Sequence, residues 1–233
     1  MPVVPSSADT DTVATVVDAR TGIVRYAPSR TKVAIIGCGS SRASAPWNDP
    51  AWIVWGLNEI PQPRATAWFE MHPMSVQNAR EFAWLAQCPT PCYVLSLEDC
   101  RPRVMDYDGA AAAFLGVKNA VQYPLARVLA LPGARDWFTS TFAYQVALAI
   151  ADGFEEIGLW GVDLRRGTLR EQTVEWACLA WWCGYAAARG VKVTTAGDYT
   201  WTHPGRYGYD YHREKNAVEA QMAAMRAYVR ETE

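Results

Sequence analysis

The sequence has no large surplus of either charge, no apolar run of membrane-spanning length and a start that reads as a polar arm rather than a leader, and each lack removes an expected class of function. With 22 basic against 24 acidic side chains and a formal charge of −2, it misses the basic excess on which nonspecific nucleic-acid binding depends, so any such contact has to be local. No segment approaches the roughly 20 consecutive apolar residues of a bilayer span. Met1 to Asp9 carry neither a basic start nor an apolar stretch and read as a polar arm. The expectation is a cytoplasmic protein without a membrane partner. Six cysteines with no secretion signal read as reduced thiols. Cys88, Cys92 and Cys100 have no fourth ligand at zinc-finger spacing, and Pro89 and Pro91 punctuate a turn.

What is present points to one sizeable core. Half of the 233 residues are hydrophobic, and 11 Trp stand against 6 Phe, which suits a single domain. Residues 1–30 read as an arm with a small hairpin turning near Arg20-Thr21-Gly22, and 31–233 as the domain proper. Short unbroken apolar runs at 32–36, 52–57, 67–71, 92–97, 156–161 and 191–195 are the pattern of strands buried on both faces, and therefore of a parallel sheet. Helical spacing appears after Thr139-Ser140-Thr141, ending at Gly153, and again from about Leu169 to Arg189, stopped by Gly190. Glu214 to Arg230 reads as a C-terminal helix. Alternating strands and helices imply an α/β fold: a Rossmann-like open, mostly parallel sheet with helices on both faces.

Four local patterns carry chemistry. Gly37-Cys38-Gly39-Ser40-Ser41-Arg42 follows the first strand, where glycines and exposed N–H groups can hold phosphate oxygens. The third glycine of a dinucleotide fingerprint would fall on Arg42, so NAD is not expected. Asn58, at the end of the second strand, offers a donor and an acceptor to a ribose or a base edge. Glu70 and His72 alternate at the end of the third strand, so they point to one side as a base and its orienting partner. Thr139 and Ser140 open a helix that can face a phosphate, and Asp163 ends a strand where it can bind a hydroxyl or a cation. Two D-x-D pairs, Asp9/Asp11 and Asp106/Asp108, lie in the arm and in poor strand context. Arg165, Arg166, Arg170 and Arg206 make a small basic rim.

The order of these motifs resembles a known group. Gly37-x-Gly39-x-Ser41, then Asn58, then Thr139-Ser140, then Gly153-Phe-Glu-Glu-Ile-Gly-Leu-Trp-Gly-Val-Asp163 is similar to bacterial sialyltransferases of the Campylobacter type. It is equally similar to the related 6-hydroxymethylpterin pyrophosphokinase and motility-associated glycosyltransferase group, including small phage-encoded proteins. The resemblance spans roughly residues 32–195. It implies a nucleotide or nucleotide-sugar site, with Gly37, Gly39, Ser41, Asn58, Thr139 and Ser140 matching the nucleotide-contacting positions and Asp163 the acid after the last motif strand. Ser40 replaces the usual Pro and Thr141 the usual Gly, which leaves the nucleotide open between UDP and CMP. The sialyltransferase His that follows the last block has only His203 and His212 as counterparts here.

Taken together, the expectation is a nucleotide-sugar-dependent glycosyltransferase with His72 as base, Glu70 orienting it, and Asp163 beside them. Gly37, Gly39, Ser40, Ser41, Asn58, Thr139 and Ser140 would hold the donor. The acceptor is a small molecule or a hydroxymethylated base in phage DNA. The rival expectations are an ATP-dependent pyrophosphokinase acting on a hydroxymethyl heterocycle, with Mg²⁺ near Asp163, and a non-catalytic nucleotide-binding module. Trp47 and Trp201 stand out as ring surfaces near the expected crevice.

Overall fold

The computed structural model describes residues 16–17, 24–25, 31–58, 64–76, 83–107, 110–165 and 168–197, together with Glu219 and Met222. The chain divides into two compact units, Met1–Gly197 and Asp198–Glu233. The expected C-terminal helix, apart from helical Glu219 and Met222, lies outside the described residues, as do Asp9, Asp11, Asp108, Arg166, Trp201, His203, Arg206 and His212.

The first unit opens with β1 (Val16–Val17) and β2 (Val24–Arg25), which pair antiparallel with Val17 opposite Val24, the expected hairpin. The main sheet consists of β3 (Lys32–Ile36), β4 (Trp52–Leu57), β5 (Ala67–Glu70), β6 (Cys92–Val94), β9 (Ala120–Gln122), β10 (Glu156–Trp160) and β11 (Lys192–Ala196). Its order is β11-β10-β3-β4-β5-β6-β9, and every pairing is parallel. From β3 the chain steps outward one way through β4, β5 and β6, then returns to place β10 and β11 on the other side. The strand order therefore reverses between β3 and β10, and open α/β sheets bind ligands in the crevice outside the strand ends at such a point.

Side-chain alternation explains why these runs became strands buried on both faces. Ala34, Ile36, Trp52 and Val54 form one cluster with Ala45 from the segment after β3, and Trp47 and the last residue of β10, Trp160, pack against it. On the other face Phe69 stands in register with Tyr93 and meets Trp55 on the diagonal, with ring centroids 4.7 and 5.1 Å apart, and Phe154 meets Trp55 edge-on. Trp55, Trp68 and Trp182 are almost wholly buried, and truncating any one of them to Ala is expected to cost about 3–5 kcal/mol. Beneath the outer strands, Cys88, Cys92 and Cys100 pack with Trp68, Leu85 and Phe114 as ordinary core residues.

The helices that pack around the sheet include α1 (Leu125–Leu129), α2 (Thr141–Asp152) and α3 (Leu169–Ala188). Helix α2 packs on β3 and β5, and α3 packs on α2 and β11. Gly153, with φ at 82°, ends α2 by donating to Ala149 and Ile150. A reciprocal Thr168–Glu171 cap starts α3. Of the stripe expected on α3, Cys178 and Trp182 are buried, whereas Val174 is 42 % exposed.

Some elements were not expected. β7 (Arg103–Tyr107) and β8 (Ala110–Phe114) form a separate antiparallel pair, which places Asp106 in a strand after all. The run at 92–97 stops being strand at Val94, and Leu95 and Leu97 are exposed. No helix among the described residues is long and apolar enough to cross a membrane.

Candidate active site at the strand-order reversal

The loops after β3 and β10 meet at the reversal point, and they meet by glycine. Gly37 donates its N–H to Trp160 O at 2.7 Å and Gly39 donates to Gly161 O at 2.8 Å. Ser41 Oγ accepts the Gly161 N–H at 2.8 Å. A Cβ on Gly37 would lie 2.2 Å from Gly161 O, and Gly161 itself has φ at 67°. A Cβ on Gly39 would lie 2.9 Å from the Asp163 carboxylate. Where the sequence suggested that these glycines admit a phosphate, the structure uses them to let two loops touch, and it commits the Gly37 and Gly39 amides to that contact.

A cavity of about 510 Å³ opens beside this junction. Cys38, Asn58, His72, Thr139, Ser140 and Asp163 line it, so five residues singled out in the sequence converge on one space from three separate strand ends and a helix start. Gly39 and Ser40 instead face a separate, shallower depression with Arg42, Ala43 and Trp47. Trp47 is therefore no part of the main cavity: its ring covers the Ala34–Val54 cluster and its Nε1 donates to Arg42 O.

The strand-end residues are held firmly. Asn58 adopts a left-handed backbone, φ 50°, with its N–H donating to Phe69 O and its own carbonyl accepting Trp68 Nε1 at 2.6 Å. Leu164, also lining the cavity, shares that φ, and its carbonyl accepts Trp176 Nε1 at 3.0 Å. These are the two non-glycine residues with positive φ among the described residues. A left-handed Leu costs about 1–2 kcal/mol, and such strain concentrates where the surroundings enforce a working geometry.

His72 and Glu70 pair as the alternation implied. Glu70 is buried, and its Oε1 accepts both the His72 backbone N–H at 3.1 Å and His72 Nδ1 at 2.7 Å. A carboxylate oxygen only accepts, so Nδ1 is the donor of the second bond and Nε2 is the imidazole's other nitrogen. The imidazole is half exposed, so Nε2 is reachable from the cavity. This is the geometry of a base and its orienting carboxylate.

At the opposite wall, Ser140 is the N-cap of α2 but makes no capping bond. Its Oγ, and Asn58 Oδ1, are buried without a hydrogen-bond partner among the described residues. An uncapped N-cap is unusual because a helix start leaves orphan N–H groups that a serine normally satisfies. Thr139 Oγ1 donates to Val174 O at 3.1 Å, so its proton is committed to α3.

Sequence reasoning missed the third wall, which comes from α3. Glu171 and Glu175, one helical turn apart, line the cavity with Arg165. Glu171 is spent on its cap, where the Thr168 backbone and hydroxyl bonds hold its carboxyl below the usual range. Burial, with Glu171 nearby, pushes the Glu175 carboxyl up, and the His72 charge draws it partly back. The signal was legible as an i, i+4 acidic pair, but nothing in the chain order shows which face of α3 meets the cavity. No group of three or more His, Cys, Asp or Glu among the described residues is placed to hold a metal ion.

No protein-family model matches the chain, and no curated protein matches it. Solved structures similar to it include the sialyltransferase CstII from Campylobacter jejuni in complex with cytidine-5'-monophosphate, at 15% identity over 71% of this chain and 79% of that one, with a TM-score of 0.45. The apo alpha-2,3-sialyltransferase from the same organism is similar at 13% identity, covering 75% and 78%, with a TM-score of 0.45. CstII bound to a trisaccharide acceptor and CMP is similar at 16% identity, covering 71% and 80%, with a TM-score of 0.41.

Proposed function

We propose that the protein is a nucleotide-sugar-dependent glycosyltransferase whose base is His72. The observation that carries the reading is the His72–Glu70 pair, with the imidazole half exposed at a cavity that also holds the uncapped start of α2. The motif order from Gly37 to Asp163 supports the same reading.

In this reading the donor phosphates sit at the α2 N-terminus, where Ser140 Oγ and the first amides supply donors and the helix dipole favours negative charge. Asn58 bonds the ribose or base through its unpartnered Oδ1. The glycine turn contributes rigidity rather than phosphate contacts. His72 Nε2 takes the proton of an acceptor hydroxyl as its oxygen bonds to the anomeric carbon, and the bond to the nucleotide phosphate breaks with its electron pair leaving on the phosphate oxygen. The acidic lining favours a small acceptor over a modified base in DNA, whose backbone phosphates would meet Asp163 and Glu175.

The test is binding followed by turnover. UDP-glucose, UDP-N-acetylglucosamine, CMP-sialic acid and ATP with Mg²⁺ are each titrated by calorimetry, and nucleotide release is then followed with sugar acceptors. His72→Ala should leave donor affinity within about threefold and lower turnover by about 10²–10⁴-fold. Turnover that survives the substitution removes His72 from the chemistry. ATP binding that requires Mg²⁺ favours pyrophosphoryl transfer, and a ligand recovered unchanged favours a binding module.

A further inference from the structure

Asn58 and Leu164, the two left-handed residues at the cavity, share a second feature: each offers its carbonyl to an indole. Asn58 O accepts Trp68 Nε1 at 2.6 Å, and Leu164 O accepts Trp176 Nε1 at 3.0 Å. For Asn58 the conformation comes easily, because a short polar side chain tolerates positive φ, whereas a bulky apolar one resists it. Leu164 therefore depends on a hold from outside its own segment. One face of α3 supplies it. Gln172 and Trp176 lie one turn apart, and Gln172 Nε2 donates to Arg165 O at 3.1 Å, so α3 takes two consecutive carbonyls of the segment after β10. The residue just before them is Asp163. Its carboxylate lies over Gly39, where an added Cβ would come within 2.9 Å of it, and it lines the same cavity as His72. With the carbonyls of 164 and 165 tied to α3, a change of φ at Leu164 must move Asp163. The Trp176 ring is only partly buried, so what distinguishes it from a phenylalanine here is the N–H.

We propose that Trp176 is a positioning residue: its indole N–H holds Leu164 in the left-handed backbone and so fixes where the Asp163 carboxylate stands in the cavity. The effect on turnover rests on the transferase reading; the effect on Asp163 does not. Strain held by its surroundings at a cavity wall is the mark of such a device.

The experiment compares Trp176→Phe, which keeps a ring and removes the N–H, with the same change in a Leu164→Asn background, where the backbone adopts positive φ without help. In the ligand-free full chain, Trp176→Phe should shift the Asp163 carboxyl carbon resonance and leave core resonances of α2, such as Val146, in place. In the Leu164→Asn background the same substitution should leave Asp163 where it was. Leu164→Gly, equally free at positive φ, replaces Leu164→Asn if the buried amide costs the fold. With the donor that calorimetry identifies, Trp176→Phe should lower kcat about tenfold and keep KM within about threefold. Combined with Asp163→Asn it should add no further loss, because both changes act through one carboxylate; a ring that only packs gives additive losses. An unmoved Asp163 resonance, a shift of equal size in the Leu164→Asn background, or additive losses overturns the proposal. If Asp163 moves as expected and no donor turns over, the transferase reading alone falls, whereas His72-dependent turnover with Asp163 unmoved removes only the positioning role.

Discussion

Gly37→Ala isolates what the glycine turn does. The added Cβ would lie 2.2 Å from Gly161 O, 2.8 Å from Gly161 C and 2.9 Å from Phe142 Cζ. Two of these atoms are backbone, so the loops after β3 and β10 must part by about an ångström to reach ordinary contact. Overpacking of this kind costs about 1–3 kcal/mol. Parting also stretches the bonds from Gly37 N to Trp160 O and from Gly39 N to Gly161 O, each worth about 0.5–1.5 kcal/mol. The sum is about 4 kcal/mol, which for a chain of this size lowers the melting temperature by about 8–16 °C. Thermal unfolding of the ligand-free protein is the assay. Gly39→Ala is the milder comparison, because its Cβ would come within 2.9 Å of the Asp163 carboxylate, a side chain that can turn aside, and stay 3.1 Å from Gly161 O, and it should cost about 1 kcal/mol, the low end of the same overpacking scale. If Gly37→Ala melts with wild type in the absence of ligand, the glycine does not serve the loop contact and the argument fails.

Three further outcomes follow from particular contacts. Ser140→Ala should change stability by less than about 0.5 kcal/mol, below the usual loss at an N-cap of about 1 kcal/mol, because Ser140 makes no capping bond; equilibrium unfolding in urea measures this, and a full cap loss would show that the hydroxyl does cap α2. Burial raises Asp152 from 3.8 to about 6 despite the Arg127 ion pair, in keeping with its unpartnered Oδ2. Its carboxyl therefore ionises more readily in the unfolded chain, and the associated stability, complete below about pH 4, is lost as pH rises through about 6. Asp152→Asn should gain about 2–3 kcal/mol on wild type between those pH values, read from urea midpoints at pH 4 and 7, and a pH-independent difference would refute it. Trp182→Phe, which removes the Nε1 bond to Trp137 O at 2.9 Å and leaves a gap beside Phe138, should cost about 1–3 kcal/mol in the same unfolding assay.

The parts of the fold legible in sequence were those with a local physical signature. Lys32–Ile36 and Trp52–Leu57 are strands over the expected residues because continuous apolar runs survive only where both faces are covered. Thr141–Asp152 was readable from its flanking Ser140 and Gly153. Thr168-Leu-Arg-Glu171 also carried a capping signature that went unused. Ala110–Phe114 gave no strand signal because an alanine run has little strand propensity of its own; it is a strand through its pairing with Arg103–Tyr107. Ala120–Gln122, at three residues, is too short for periodicity to register.

The candidate site divides along the same line. His72 and Glu70 were visible because a two-residue spacing on a strand puts both on one side, and the 2.7 Å bond between them is local in the chain. The glycine turn was visible as a feature but not in purpose, since its partner, Gly161, lies 120 positions beyond Ser41, the residue that accepts its N–H. Glu175 was invisible for the opposite reason: acidic pairs on helices are common, and only packing decides whether one faces solvent or a cavity. The sequence by itself determined the parallel strands, the helices around them and the chemistry at each strand end. Tertiary structure alone decided which ends meet, because strand order is set by long-range burial and chain return, and that order turned Asn58, His72, Ser140 and Asp163 into neighbours, left the Gly37 and Gly39 amides unavailable to a ligand, and brought the Glu175 carboxylate to the same cavity as the histidine.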